Sequence, residues 1–439
     1  MNASIADSPM SQVRRYWRDR QRWMTAADVF AVLAALTLPW STSLVAIFVA
    51  CWLVTMAWVM DWGAYARLLK QPICYLPLSL VGLAVIGTLW SDATWGARLS
   101  AINPTVKLLV LPGLFYHFER SSRGMWVFVA FLVSCTLLML MSWIVAIDPS
   151  LSLKAPGEPG GRGIFVKNYI AQSQEFALCA VALAYPIISL LRTNRTWPAL
   201  VLGAISLGFA VNMAFVIVSR TAMVTMPIML AVFALLHLKW RTSLMIFGAL
   251  VIMAGLAWAT SPQLQQKSDA FFTEYQLYKT QNVATSIGLR LEFWKKSLGF
   301  FAEAPVVGHG TGSTRGLFER AATGNTDSAT REIIGNPHNQ TLNVAVQWGI
   351  IGVILLYAMW LAHLLLFRGE GLVAWIGLLV VVQNIFTSLF NSHIFDFHEG
   401  WMYVLGVGVA GGMVLQAKAR RVAGEPSAAG HDRWHARRR

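Results

Sequence analysis

Acidic residues are scarce in this chain, with 21 Asp and Glu against 35 Lys and Arg among 439 residues. Charged residues of either sign make up only 13% of it, while 56% are hydrophobic. With a mean hydropathy of +0.54, that balance excludes a disordered chain and an ordinary soluble domain. Cysteine is sparse as well. Cys51, Cys74, Cys135 and Cys179 lie in or beside apolar segments with no Cys-x-x-Cys spacing, which argues against a disulfide framework and a zinc site. No internal repeat is present, and no small-residue cleavage site follows the first apolar run. That run therefore reads as a retained helix rather than a removable leader.

Long apolar runs are what the chain has in abundance. A hydrocarbon core is crossed by about 20 helical residues. Runs approaching or exceeding this length fall at 26–41, 43–60, 74–90, 104–117, 125–147, 174–191, 198–218, 222–238, 243–260, 341–367, 372–390 and 400–416. They predict an all-α polytopic membrane protein with about twelve transmembrane helices. The expected organisation is a basic N-terminus (1–25), nine helices across 26–260, one large loop over 261–340, three further helices across 341–416, and a basic tail (417–439).

Lys and Arg resist translocation, so their positions orient the bundle. They crowd the two termini and recur in short loops at Arg67, Lys70, Arg120, Arg123, Arg192, Arg195, Lys239, Arg241 and Arg368. An even helix count puts all of these on one side, so both termini are expected in the cytoplasm and the 261–340 loop outside. The net charge of +14 is then explained by topology, with no call for nucleic acid as a partner.

Positive charge on the outward side runs against that rule and needs its own reason. Arg220, in Ser219-Arg220-Thr221, is the polar break between two apolar helices, and reads either as a snorkelling interfacial arginine or as an anion ligand. Arg290 and Trp294 sit four apart in a stretch with helical spacing, which fits an amphipathic helix on the bilayer or an arginine stacked on tryptophan. In Asn336-Pro337-His338-Asn339-Gln340, Asn336 suits a helix N-cap and Pro337 the first turn. His338 would then open a helix whose dipole favours neutral imidazole, able to accept a proton. The bland alternative is a structural histidine.

Two further outward loops carry polar side chains. Pro156 to Gly163 is turn-rich, contains Arg162 and precedes Lys167 and Asn168. It is either a flexible connection or a set of amides and cations that meet a phosphate. Asn391 to Glu399 holds two His and two acids, but these alternate with Phe and no other outward segment offers a matching acid cluster. No Asp-x-Asp occurs anywhere, so a metal held by that motif is not expected. Arginines binding a pyrophosphate through bidentate hydrogen bonds are the alternative. Lys107 reads as the one charge deep within an apolar run, placed either to snorkel or to touch a phosphate.

Taken in order, Arg162 to Asn168, Ser219-Arg220-Thr221-Ala222, Arg290 with Trp294, Pro305-Val306-Val307-Gly308-His309-Gly310-Thr311-Gly312, and His338-Asn339 with Gly349-Ile350-Ile351-Gly352 resemble the bacterial O-antigen ligase superfamily. That group includes O-antigen polymerases and protein O-oligosaccharyltransferases. The resemblance runs from about residue 150 to 400. It implies an inner-membrane fold related to the glycosyltransferases termed GT-C, with a periplasmic loop covering a lipid-facing cavity. It also implies a metal-independent, cofactor-free, inverting transfer of polysaccharide from undecaprenyl pyrophosphate to an acceptor. By position, Arg220 and Arg290 match pyrophosphate-binding arginines, with Arg162 or Lys167 in support, and His338 matches the essential histidine. Asn168, Asn339 and Asp396 are supporting candidates. One outward loop of about eighty residues suits a ligase acting on lipid A core. A polymerase, a protein oligosaccharyltransferase and a lipid-linked glycan transporter remain the alternatives, and the oligomeric state is open.

Overall fold

Apolar side chains on every face leave most of these segments without a polar side to offer water, and helix is the form that satisfies their backbone internally. The computed structural model describes residues 20–153, 163–166, 168–324 and 327–423. Among them no strand occurs. In chain order the helices are α1 (Arg20–Thr37), α2 (Thr42–Val59), α3 (Trp62–Leu69), α4 (Pro72–Leu89), α5 (Trp95–Arg120), α6 (Gly124–Ile147), α7 (Tyr169–Arg192), α8 (Thr196–Phe215), α9 (Arg220–His237), α10 (Trp240–Thr260), α11 (Pro262–Gln281), α12 (Ser286–Glu303), α13 (Thr314–Ala322), α14 (Gln340–Leu366), α15 (Leu372–Thr387) and α16 (Phe397–Val422). Their starts are locally encoded. Ser41 accepts from the Leu44 amide and Asn168 from the Ala171 amide, while Pro72 and Pro262 occupy first turns where no N–H is needed.

The bundle is apolar outside and polar within. Val54 is 69% exposed and Val251 is 70% exposed, while His117, Gln172, Asn212 and Gln383 are buried. The interior groups pair with one another: Trp52 Nε1 donates to His117 at 3.0 Å, and Asn212 Nδ2 donates to Ser142 at 3.1 Å. Such a pattern is stable where the solvent is lipid. The chain is an all-α polytopic membrane protein.

Ten helices among the described residues are long and apolar enough to cross a membrane, against the twelve runs read in the sequence. α15 falls short by length. α1 begins six residues before the expected run and carries Arg20, Arg22 and a buried Asp28. Asp28 lies 3.0 Å from His117 and accepts from Ser121 at 2.6 Å, both contributed by or next to α5. Lys107 is therefore not the one charge inside the bundle, since Asp28, Glu175 and Glu399 are buried too.

α16 packs along the second half of α5. At Gly408 an added Cβ would stand 2.6 Å from that of Leu114, so the two backbones approach as only a small residue allows. The 261–340 segment folds as α11, α12 and α13. Phe293, Phe300, Leu317 and Phe318 form a small core with Val346 of α14. α12 thus buries its aromatic face in protein, where the sequence predicts a helix lying on lipid.

Candidate functional site

One end of the bundle gathers the first turns of α7, α9, α12, α14 and α16, and Asn168, Arg220, Arg290, His338, Asn339 and Asp396 fall there. The positive ends of helix dipoles favour anions. Arg220 is the first residue of α9. Its Nη2 pairs with Glu274 Oε1 of α11 at 2.8 Å, and Nη1 reaches Oε2 at 3.4 Å. Glu274 Oε2 also accepts from the Ile287 amide in the first turn of α12, at 3.1 Å. A carboxylate thus sits where a guanidinium and a helix N-terminus converge, which is the donor set a phosphate oxygen would meet. Arg220 Nε is buried with no acceptor among the described residues.

Arg290 lies on the second turn of α12, half-buried. Burial lowers its pKa, and the nearby charges of Tyr169, Arg220 and Glu274 bear on it as well. Among the described residues it has no hydrogen bond, no ion pair and no aromatic ring beneath it. Trp294 packs instead with the Phe293 cluster, so the expected arginine–tryptophan stack does not form. This end of the bundle therefore holds a half-buried guanidinium beside a second one, with its own donors unused.

His338 differs from its predicted position. Asn339 is the N-cap of α14, accepting from the Leu342 amide at 3.1 Å and donating to the Leu389 carbonyl at 3.2 Å. Asn336 is not the cap. It makes a turn whose Oδ1 accepts from the His338 amide at 3.0 Å and from Ser392 Oγ at 2.7 Å. His338 sits between these two asparagines with φ +53°, a left-handed conformation uncommon for a side chain this large. The sequence places the segment correctly but cannot choose between asparagines three apart, because either suits a cap. Packing of the 388–396 loop chooses Asn339, with Gln340 N donating to Ser388 O at 2.9 Å.

The same loop orients the imidazole. His338 Nδ1 meets Asn391 Oδ1 at 2.8 Å, and Asn391 Nδ2 donates to Asp396 Oδ2 at 2.6 Å. An ionised carboxylate only accepts, so Asp396 turns the amide nitrogen to itself and the amide oxygen to His338. The imidazole proton is then held at Nδ1, leaving the Nε2 lone pair open; Nε2 makes no hydrogen bond with a described residue. Burial, with the charge of Arg290, lowers the His338 pKa from its ordinary value, against the opposing Asn391 hydrogen bond. Burial pushes Asp396 up to about 6, opposed by Lys107. Neutral imidazole and carboxylate therefore coexist near pH 7. In the sequence Asn391 only opens the loop that holds two His and two acids, and nothing local marks it as a bridge.

Lys107 does neither of the things expected of it. Its Nζ donates to the backbone carbonyls of Asp396 at 2.5 Å and Phe395 at 3.2 Å, tying α5 to the loop that carries Asp396. His393, buried beside this site, is pushed down to about 3 by burial, with Arg290 and His338 adding to the effect. Among the described residues no group of three His, Cys, Asp or Glu could hold a metal ion. Asn168 caps α7 beside Tyr169, at 2.8 Å from the Ala171 amide. Arg162 and Lys167 lie outside the described residues.

Two of the motifs prove to be one unit. Gly349 breaks α14 with φ +61° and ψ −157°, a conformation open essentially to glycine alone. The freed backbone pairs with the Pro305–Gly312 segment: Ile350 N to Pro305 O at 2.8 Å, His309 N to Val346 O at 2.9 Å, and Gly310 N to Gln347 O at 2.9 Å. This clasp holds the end of α12, and so Arg290, against α14 and His338.

A family model described as O-antigen ligase matches residues 205–357. Over about a third of its length the chain is therefore similar to that family. The matched segment includes Arg220, Glu274, Arg290, His338 and the Gly349 clasp, while Asn168, Asn391 and Asp396 lie beyond it. An uncharacterized protein of Haemophilus influenzae is 23% identical over 168 residues, which cover 37% of this chain and 42% of that protein. The chain thus spans about two fifths of that relative.

Proposed function

We propose that this protein transfers O-antigen polysaccharide from undecaprenyl pyrophosphate to lipid A core at the periplasmic face of the bacterial inner membrane, with both termini in the cytoplasm. The observation that carries the reading is the pairing of two part-buried guanidiniums, Arg220 and Arg290, with an imidazole whose Nε2 is left open. The polyprenyl chain would lie in the bilayer and its pyrophosphate would displace Glu274 from Arg220. His338 Nε2 takes the proton of an acceptor hydroxyl, whose oxygen attacks the anomeric carbon as the bond to the pyrophosphate breaks on the opposite face. The donor sugar's configuration inverts, and undecaprenyl pyrophosphate departs with the bonding electrons. Negative charge grows on that leaving group, so the arginines contribute most at the transition state.

The test is the surface lipopolysaccharide of a deletion strain rescued with wild type or His338→Ala, read together with the pool of lipid-linked glycan. Bare core with accumulated long lipid-linked polymer, restored by wild type alone, is expected. Core capped by single repeat units would assign a polymerase instead, and an unchanged profile would exclude both.

A further inference from the structure

At the end of the bundle opposite His338 a cavity of about 1470 Å³ opens between the ends of α7, α9, α14 and the start of α10 and α15. α14 runs from beside His338 to this cavity, and its 27 residues span about 40 Å, so the two sites are separate. The walls are apolar, with Val232, Leu236, Leu364 and Leu378 among them. The rim is basic: Arg192, Lys239, Arg241 and Arg368 line it with Glu370 as the one acid. Among the described residues neither Lys239 nor Arg368 has a carboxylate within salt-bridge distance. Trp240, 68% exposed at the rim, has the amphipathic character of an interfacial anchor.

Greasy walls under a cationic rim complement an anionic amphiphile rather than a soluble metabolite. We propose that this cavity binds an anionic phospholipid with a two-phosphate headgroup, of the cardiolipin type, from the leaflet that the basic loops assign to the cytoplasm. The phosphates lie across Lys239, Arg241 and Arg368, and acyl chains enter between α9, α10 and α15. The lipid would brace α10, which among the described residues buries little of itself against the rest of the protein. This inference stands independently of the transfer reaction.

The experiment is native mass spectrometry of the full chain, purified in mild detergent, stripped of lipid and titrated with cardiolipin or phosphatidylethanolamine. Wild type is expected to retain cardiolipin selectively. Each rim cation contributes about a factor of five, so Lys239→Ala with Arg368→Ala should weaken retention by about twenty-five-fold. Arg67→Ala with Lys70→Ala, which removes exposed cations from the same end but outside the cavity, should leave it unchanged. Leu378→Trp, which fills the cavity and keeps every cation, should also weaken retention and guards against misfolding of the charge variant. Equal loss in both charge variants, no preference over phosphatidylethanolamine, or displacement by inorganic phosphate alone would each overturn the proposal.

Discussion

Arg290 has the most to gain from a ligand, because nothing described in the protein uses its donors. Arg290→Ala should slow transfer by about a hundredfold or more, in line with about 2.7 to 4 kcal/mol for one well-placed stabiliser. Arg290→Lys should be nearly as harmful, since a point charge cannot reproduce the planar fork. Near-normal transfer by the lysine variant at equal protein level would remove the bidentate clamp. The His338–Asn391–Asp396 chain makes a separate prediction about pH. The base must be neutral and its orienting carboxylate ionised, so the rate should fall as pH drops through about 6, where Asp396 takes up its proton, and His338 adds to the loss as it protonates below its ordinary value. Asp396→Asn should lower the rate about tenfold at high pH, the equivalent of about one hydrogen bond, and move the acid limb to lower pH because only His338 then titrates. An acid limb unchanged in that variant would separate Asp396 from the imidazole.

Between elements, the Arg220–Glu274 contact and the Gly349 clasp decide how the site is assembled. Glu274 sits on the donors that an incoming phosphate would use, so the resting protein pairs Arg220 internally. Glu274→Gln should tighten pyrophosphate binding about fivefold, matching about 1 kcal/mol for a part-exposed ion pair, as read by calorimetry on the purified protein. Weaker binding would make Glu274 a support of the site rather than a competitor. Gly349→Ala must force a Cβ to 2.3 Å from the Val306 carbonyl oxygen and hold alanine in a glycine-only conformation, which alone costs about 1 to 3 kcal/mol. A lower melting temperature by fluorescence-detected chromatography is expected, together with loss of transfer as α12 swings from α14. Sequence reading recovered both partners of this clasp as motifs, Pro305 to Gly312 and Gly349 to Gly352, yet could not show that each exists to hold the other. It also predicted a lipid-facing α12, because an amphipathic period gives the same signal whether the apolar face meets lipid or protein.

For the molecule as a whole, orientation decides which compartment the candidate site faces. In a chain with its four cysteines replaced, Ile333→Cys, at an exposed position of the long loop, should react with a membrane-impermeant maleimide on intact cells. Gly369→Cys, between α14 and α15, should react only after permeabilisation. Labelling of both from outside would break the proposed topology between the two positions, and labelling of Gly369→Cys alone would reverse it and move the candidate site away from the periplasm.

By itself the sequence determined the solvent and the secondary structure. Runs such as 125–147 and 341–367 carry too little polarity to leave a backbone amide unpaired in lipid, so they must be helices, and α6 and α14 are. It also marked Arg220, Arg290 and His338, since unusual charge beside an apolar run is visible locally. Only the tertiary structure decided which partners those residues take. Asn391 bridges His338 to Asp396 from 53 residues away, and Glu274 meets Arg220 across 54. Hydropathy and helical period report on neighbours three or four residues apart, whereas a hydrogen bond between loops is selected by how the helices beneath them pack.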